Sequence, residues 1–257
     1  MKKQTYKVDG EPVTGVVLYE GRSLLVNNQW IVVILTFNSS NIKTGNMMQI
    51  TYLLRDVPPI EAVKSGMDEA NCGDCNGRKT KDGWCYVNLG HSPRAIWKAY
   101  NEGKYPMMEG NKRFLANVVQ DRSVRDGNYG DPASAPQWVT EILMAGANHN
   151  TGYTHQWKSL LNTKPSGLPV NNSRKDYLMA SCDSKEDKQL AIANGWRTFR
   201  MTHDLDDIDD DEVICPNYTH KVQCENCVLC SGNKVQGKNV VAPVHGACKS
   251  KFVEEVK

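Results

Sequence analysis

Met47-Met48-Gln49-Ile50-Thr51-Tyr52-Leu53-Leu54, followed by Asn71-Cys72-Gly73-Asp74-Cys75-Asn76-Gly77-Arg78 and Trp84-Cys85-Tyr86, is the stretch on which the fold turns. The first segment is a short apolar run that reads as a buried strand. Behind it come three thiols at C-x2-C-x9-C. The glycines between them let the backbone fold back, so that the sulfurs of Cys72, Cys75 and Cys85 converge on one metal. Three protein ligands leave one coordination position open, which is the arrangement of a working metal. His91, six residues after Cys85, is the alternative fourth ligand and would close the site as Cys3His zinc.

Upstream of this stretch, residues 15–19 and 30–37 are apolar runs set around the turn Glu20-Gly21-Arg22. They predict two or three antiparallel strands, a hairpin or cap over residues 1–44. Downstream the rhythm changes. Helical patterns over 92–103, 134–146 and 184–195 alternate with short apolar runs at 177–181, 196–201, 213–214 and 239–244. Strand, helix, strand with short connections predicts parallel βα units. The expected class is α/β: a complete or partial (β/α) barrel over 45–257, with an N-terminal antiparallel β extension.

Reactive side chains fall at the carboxyl ends of the predicted strands. Asp126 and Asp131, His155, Cys182, His203, Cys215 and His245 each follow an apolar run. In a (β/α) barrel those ends share one mouth, so Asp126, His155, Cys182 and His203 are expected to line a catalytic site. A second thiol cluster, Cys215-Pro216 with Cys224-Glu225-Asn226-Cys227-Val228-Leu229-Cys230, suits either an iron–sulfur cluster or a tetrahedral structural zinc. Cys248 is left without a role.

The bulk numbers exclude little. The chain has 257 residues, 40% of them hydrophobic and 23% charged, and a net charge of +2, so nothing global demands nucleic acid or an anionic membrane. Nine cysteines without a secretion signal read as reduced ligands of a cytoplasmic protein rather than disulfides. No run approaches a membrane span, so no membrane partner is expected. The acidic run from Asp204 to Glu212 is expected to stay in solvent, because its carboxylates repel one another.

The segments Lys43-Thr44-Gly45-Asn46-Met47-Met48-Gln49, the three-cysteine loop, Arg125-Asp126-Gly127-Asn128-Tyr129-Gly130-Asp131-Pro132, Thr151-Gly152-Tyr153-Thr154-His155-Gln156-Trp157 and Gly195-Trp196-Arg197-Thr198-Phe199-Arg200 carry a resemblance. Across residues 43–248 the chain resembles an uncharacterised, mostly phage-encoded group that looks related to the radical S-adenosylmethionine barrel. The resemblance implies a [4Fe–4S] cluster on Cys72, Cys75 and Cys85, S-adenosylmethionine as cosubstrate, and Gly130 and Asp131 as the segment receiving its amino group. It also implies the cytoplasm of a phage host as the location. The usual spacing in that superfamily is C-x3-C-x2-C, where this chain has C-x2-C-x9-C. The competing expectation is a Zn2+-stabilised module that binds nucleic acid or protein in phage replication or host takeover. Its support is a locally basic centre, Arg78, Lys79, Lys81, Arg94, Lys112, Arg113, Arg122 and Arg125, interleaved with aromatic residues.

Overall fold

The computed structural model describes residues 5–26, 28–158 and 172–252 of the chain. The basic start at residues 1–4, and 253–257 at the end of the second expected unit, lie outside them. In chain order the strands are β1 (Tyr6–Val8), β2 (Glu11–Val13), β3 (Gly15–Arg22), β4 (Trp30–Thr36), β5 (Met48–Leu54), β6 (Ser123–Tyr129), β7 (His149–Thr154), β8 (Met179–Cys182), β9 (Thr198–Thr202), β10 (Glu212–Ile214) and β11 (Asn239–Pro243). The helices are α1 (Pro59–Ser65), α2 (Glu69–Cys72), α3 (Ser92–Asn101), α4 (Lys112–Val119), α5 (Trp138–Gly146), α6 (Lys185–Ala193), α7 (Pro216–His220) and α8 (Cys224–Cys227).

β1 and β2 form a small antiparallel ribbon; the other nine strands make one sheet in the order β10-β11-β9-β8-β7-β6-β5-β4-β3. From β5 to β10 every pairing is parallel, and β3 and β4 join antiparallel. The expected boundary at residue 44 therefore falls within the sheet, since β4 pairs with β5 over six residues. The fold is mixed α/β, as the alternation of patterns predicts. Its two end strands, β3 and β10, are not hydrogen-bonded to each other.

The sheet has two differently furnished faces, and the alternation of side chains along each strand decides which residue goes where. On one face Val16, Leu18, Ile31, Val33, Leu35, Met48, Ile50, Tyr52 and Val124 pack against α4 and α5 through Leu115, Val118, Val119, Val139 and Leu143. Ala180 and Cys182 continue that face beneath Ala191 of α6 and Trp196. On the other face Val17, Val32, Ile34 and Leu53 meet Ile96 and Trp97 of α3, with Cys72 alongside. Further along that face Met179, Val240 and Tyr153 pack with Cys215, Leu229 and Cys230. Full burial of an aliphatic side chain contributes roughly 1.5–3 kcal/mol. With both faces covered, β4 and β5 read as unbroken apolar runs rather than alternating ones.

Helix ends follow local chemistry. Ser184 caps α6 by accepting a hydrogen bond from Asp187 N at 3.1 Å, as its capping pattern predicts. Asn111 caps α4 in the same way, accepting from Phe114 N at 3.1 Å. α5 starts at Trp138, later than the sequence suggests, because Pro132–Ser134 forms a separate 3-10 turn.

The acidic run requires a correction. Asp204, Asp206 and Asp210 do face solvent, but Glu212 is buried and takes a bidentate bond from Arg200, with Nε and Nη2 each 2.8 Å from its carboxylate. Lys188 of α6, also buried, reaches Asp211 at 2.8 Å and pairs with Asp209, while Lys185 pairs with Asp207 and Asp209. Basic residues distant in sequence relieve the repulsion that the run by itself implies.

Arg200→Met, which removes the bidentate partner of the buried Glu212 and leaves it Lys188 at 3.8 Å and the Asp209 N–H at 3.0 Å, is expected to lower the unfolding free energy by about 2–4 kcal/mol. Arg200→Met combined with Glu212→Leu is expected to recover most of that loss. Urea denaturation of the two variants beside the parent measures both.

Candidate metal centre

The first thiol loop is held by a clamp before any metal is considered. Arg78 makes a bidentate bond to Asp68, with Nε and Nη2 at 3.1 and 2.7 Å from the two carboxylate oxygens. It also donates to the carbonyls of Gly73 at 2.9 Å and Gly66 at 3.0 Å. Thr80 adds a 2.6 Å bond to Asp68. The backbone then doubles back, with Cys85 N donating to the Gly77 carbonyl at 2.8 Å. Gly73 has φ of +63°, and a Cβ there would lie 2.3 Å from the Gln156 side chain, so no other residue fits without displacing Gln156. Gln156 Nε2 donates to the Cys72 carbonyl at 3.2 Å and ties the loop to the end of β7.

This folding brings Cys72, Cys75 and Cys85 into mutual electrostatic reach. Burial raises the Cys72 thiol well above the ordinary cysteine value, and its neighbours Cys75 and Cys85 raise it further. Burial also raises Cys85, with Cys75 acting in the same direction. The histidine beside them is His155, whose ring is under the electrostatic influence of Cys75. His155 Nε2 lies 3.0 Å from Ser181 Oγ and 3.7 Å from Asp183 Oδ1. Burial opposes a charged ring here, but Cys75 and Asp183 outweigh it and lift His155 well above the ordinary histidine value. His91, the alternative ligand, is exposed at the start of α3.

The thiols of the expected second cluster act on one another electrostatically. Burial lifts Cys230 to about 12, a Tyr153 hydroxyl bond works against that rise, and Cys215, Cys224 and Cys227 add to it. Cys224 is raised by burial, lowered by Arg125, and raised again by Cys215 and Cys227. α8 is anchored to the far end of the sheet through Cys224 N, which donates to the Lys43 carbonyl at 2.9 Å, and Glu225, which accepts from Asn46 N at 2.9 Å.

Among the described residues, no group of three or more His, Cys, Asp or Glu is closed into an arrangement that holds a metal ion. The donors nonetheless fit one by type. Three thiols with one imidazole, and four thiols together, are soft sets of the kind that bind zinc or an iron–sulfur cluster.

Of the expected catalytic set, His155 is the residue brought to the first thiols. Asp126 points to the helical face, where it accepts a 2.7 Å bond from the Tyr52 hydroxyl. Cys182 is buried on the same face among Ala180, Ala191 and Trp196, and burial raises its thiol. His203 is exposed, its Nε2 2.8 Å from the Phe252 carbonyl. Gly130 lies tightly against Tyr52 and Asn71, where a Cβ would come within 2.7 Å of the Tyr52 backbone oxygen. Asp131 is buried and internally engaged: it accepts from Ala133 N at 2.9 Å, Thr154 Oγ1 at 2.8 Å and His155 N at 2.9 Å. Its own N–H donates to the Asn71 carbonyl at 2.6 Å, next to Cys72.

Asp183, like Cys182, follows an apolar run in the sequence. Gln156 and Ser181 carry no such signature, because their partners, Cys72 and His155, come from other elements. Three of the eight residues of the basic centre are turned inward: Arg78, Arg122 and Arg125 are buried, and Arg122 donates to the Phe37 carbonyl at 2.7 Å. The aromatic residues among them are likewise committed, Trp97 to the Leu54 carbonyl at 3.1 Å and Tyr100 to Glu20 at 2.8 Å. No helix among the described residues is long and apolar enough to cross a membrane. The chain matches no family model, no curated protein and no solved structure at a significant level.

Two substitutions probe the carboxylates. Burial lifts Asp126 to about 6, while the Tyr52 hydrogen bond and Arg174 pull it down and Asp131 pushes it up. Because its folded value exceeds the ordinary 3.8, its protonated form favours folding at low pH, and that contribution is lost as pH rises through about 6. Asp126→Asn keeps an acceptor for Tyr52, so its stability relative to the parent is expected to rise between about pH 4 and 6 and level off above. Urea titrations across that range check it. Asp131→Asn sets an amide NH2 against one of three donors and is expected to cost about 1–3 kcal/mol in the same assay at pH 7.

Proposed function

We propose that this chain is an iron–sulfur protein of the radical S-adenosylmethionine type, with its working centre on Cys72, Cys75 and Cys85 and a (β/α) half-barrel as its scaffold. The observation that carries the reading is the convergence of the three-thiol loop, Gly130–Asp131 and His155 at the carboxyl ends of β5, β6 and β7. Parallel strands laid down in successive order support a shared mouth at those ends. A cluster with three thiolate ligands would, when bound, supply the electron for reductive cleavage of the cosubstrate.

The residues of the chain take distinct parts. Arg78 and Asp68 fix the loop, so the thiols are presented at a defined depth. Asp131 acts as a brace through its three accepted bonds, which leaves the neighbouring backbone of Gly130 to face the cosubstrate. His155, held by Ser181 and near Asp183, is the group that carries a proton at the mouth. Cys215, Cys224, Cys227 and Cys230 hold a structural metal that staples the C-terminal segment to the sheet. The placement of His155 favours one other reading: with Cys72, Cys75 and Cys85 it completes a Cys3His zinc set, as in a zinc-stabilised binding module.

Anaerobic purification separates the two. The expected preparation is brown, contains iron and acid-labile sulfide, and binds S-adenosylmethionine by calorimetry. Changing Cys72, Cys75 and Cys85 to Ala removes most of that iron, and His155→Ala leaves it in place. A colourless protein whose zinc is lost in both sets of variants overturns the iron–sulfur reading and supports the zinc one.

A further inference from the structure

A cation is built against the second thiol cluster. Arg125 lies in β6 between Val124 and Asp126, whose side chains go to the helical face, so its own turns to the face that carries the thiols. It is only 9% exposed. Nη2 donates to the Tyr86 hydroxyl at 2.9 Å, and Nε is buried with no hydrogen-bond partner. Among the described residues no carboxylate forms an ion pair with it; the groups nearest in electrostatic terms are Tyr86, Tyr153 and Cys224. Lys43 adds positive charge beside Cys224, and the His245 ring lies 4.6 Å from that of Tyr86.

A guanidinium keeps its proton at any ordinary pH, so a buried one needs a fixed anion nearby. Two tyrosines do not provide it, since phenols are neutral near pH 7. Cys224 does so only as a thiolate. Four thiolates around a divalent ion carry a formal charge of −2, and a centre of that charge in a half-dry setting needs a cation as much as Arg125 needs an anion.

We propose that Arg125 is the counter-ion of a metal centre formed by Cys215, Cys224, Cys227 and Cys230, a positioning residue that lowers the cost of assembling four thiolates on the buried sheet face. The proposal rests on the reading of that cluster as a metal site and adds to it a charge requirement met from β6. Through Tyr86, the residue after Cys85, Arg125 also joins the second centre to the first loop.

The test uses the full chain loaded with zinc, counting as second-centre metal the fraction that Cys227→Ser loses. Arg125→Met is expected to release that fraction to a colorimetric chelator at least about tenfold faster than the parent, the usual cost of removing a group that supports metal ligands. Arg125→Lys, which keeps the charge, is expected to stay within about threefold of the parent. If Arg125→Met does not fold, adding Cys224→His, which makes the centre one unit less negative, is expected to restore folding and zinc retention. Release at the parent rate from Arg125→Met, loss from Arg125→Lys equal to that from Arg125→Met, or no rescue by Cys224→His overturns the counter-ion role and leaves the metal centre standing. A parent protein in which Cys227→Ser loses no metal overturns the second centre and this inference together.

Discussion

Asp131 is the point on which the candidate site depends. Its carboxylate accepts from the turn after β6 and from both the side chain and the backbone at the end of β7, while its N–H reaches the carbonyl of Asn71 beside Cys72. Three elements far apart in sequence are thereby held at one end of the sheet. Burial raises this carboxyl, and the hydrogen bonds from Ala133, Thr154 and His155 work against that rise. A charge that had no such donors would be too costly in the interior. The same bonds that make Asp131 tolerable are those that fix where His155 stands relative to the thiols.

Around that brace the molecule divides its labour between the two faces of the sheet. One face is a conventional apolar layer under α4, α5 and α6, and it takes Asp126, Cys182 and the Arg200–Glu212 pair. The other holds the first loop, His155, the C-terminal thiols and Arg125. Tyr86 accepts a hydrogen bond from Arg125 there, and Tyr153 packs beside Cys215 and Cys230. Segregation of this kind keeps the reactive thiols near one another and the core dry.

Charge on that second face is unusually one-sided. Arg125 and Lys43 both act on Cys224, and among the described residues no carboxylate forms an ion pair with Arg125. On the helical face the balance is met differently, by carboxylates: Glu212 for Arg200, and Asp209 and Asp211 for Lys188. On the proposed reading of the second cluster as a metal centre, the net negative charge of four thiolates around a divalent ion would answer Arg125.

Much of the scaffold was legible in the residues alone. The apolar runs at β4 and β5, the capping pattern at Ser184 and the alternation of strand and helix after residue 120 follow from local propensity and periodicity, which act over a few residues and are written in the chain. The grouping of thiols was legible for the same reason, since C-x2-C spacing is itself local. What the sequence did not determine was which side of a strand each reactive residue would take. Asp126 and Arg125 are neighbours in sequence and point to opposite faces; Cys182 and Ser181 do the same. A shift of one residue in strand register reverses that assignment, and register is set by pairing with strands distant in the chain. So the sequence by itself determined that thiols, histidines and carboxylates would fall at or just beyond strand ends. Only the tertiary structure decided that His155 joins the thiols while Asp126 and Cys182 do not, and that Arg125 turns its unmatched charge toward Cys224.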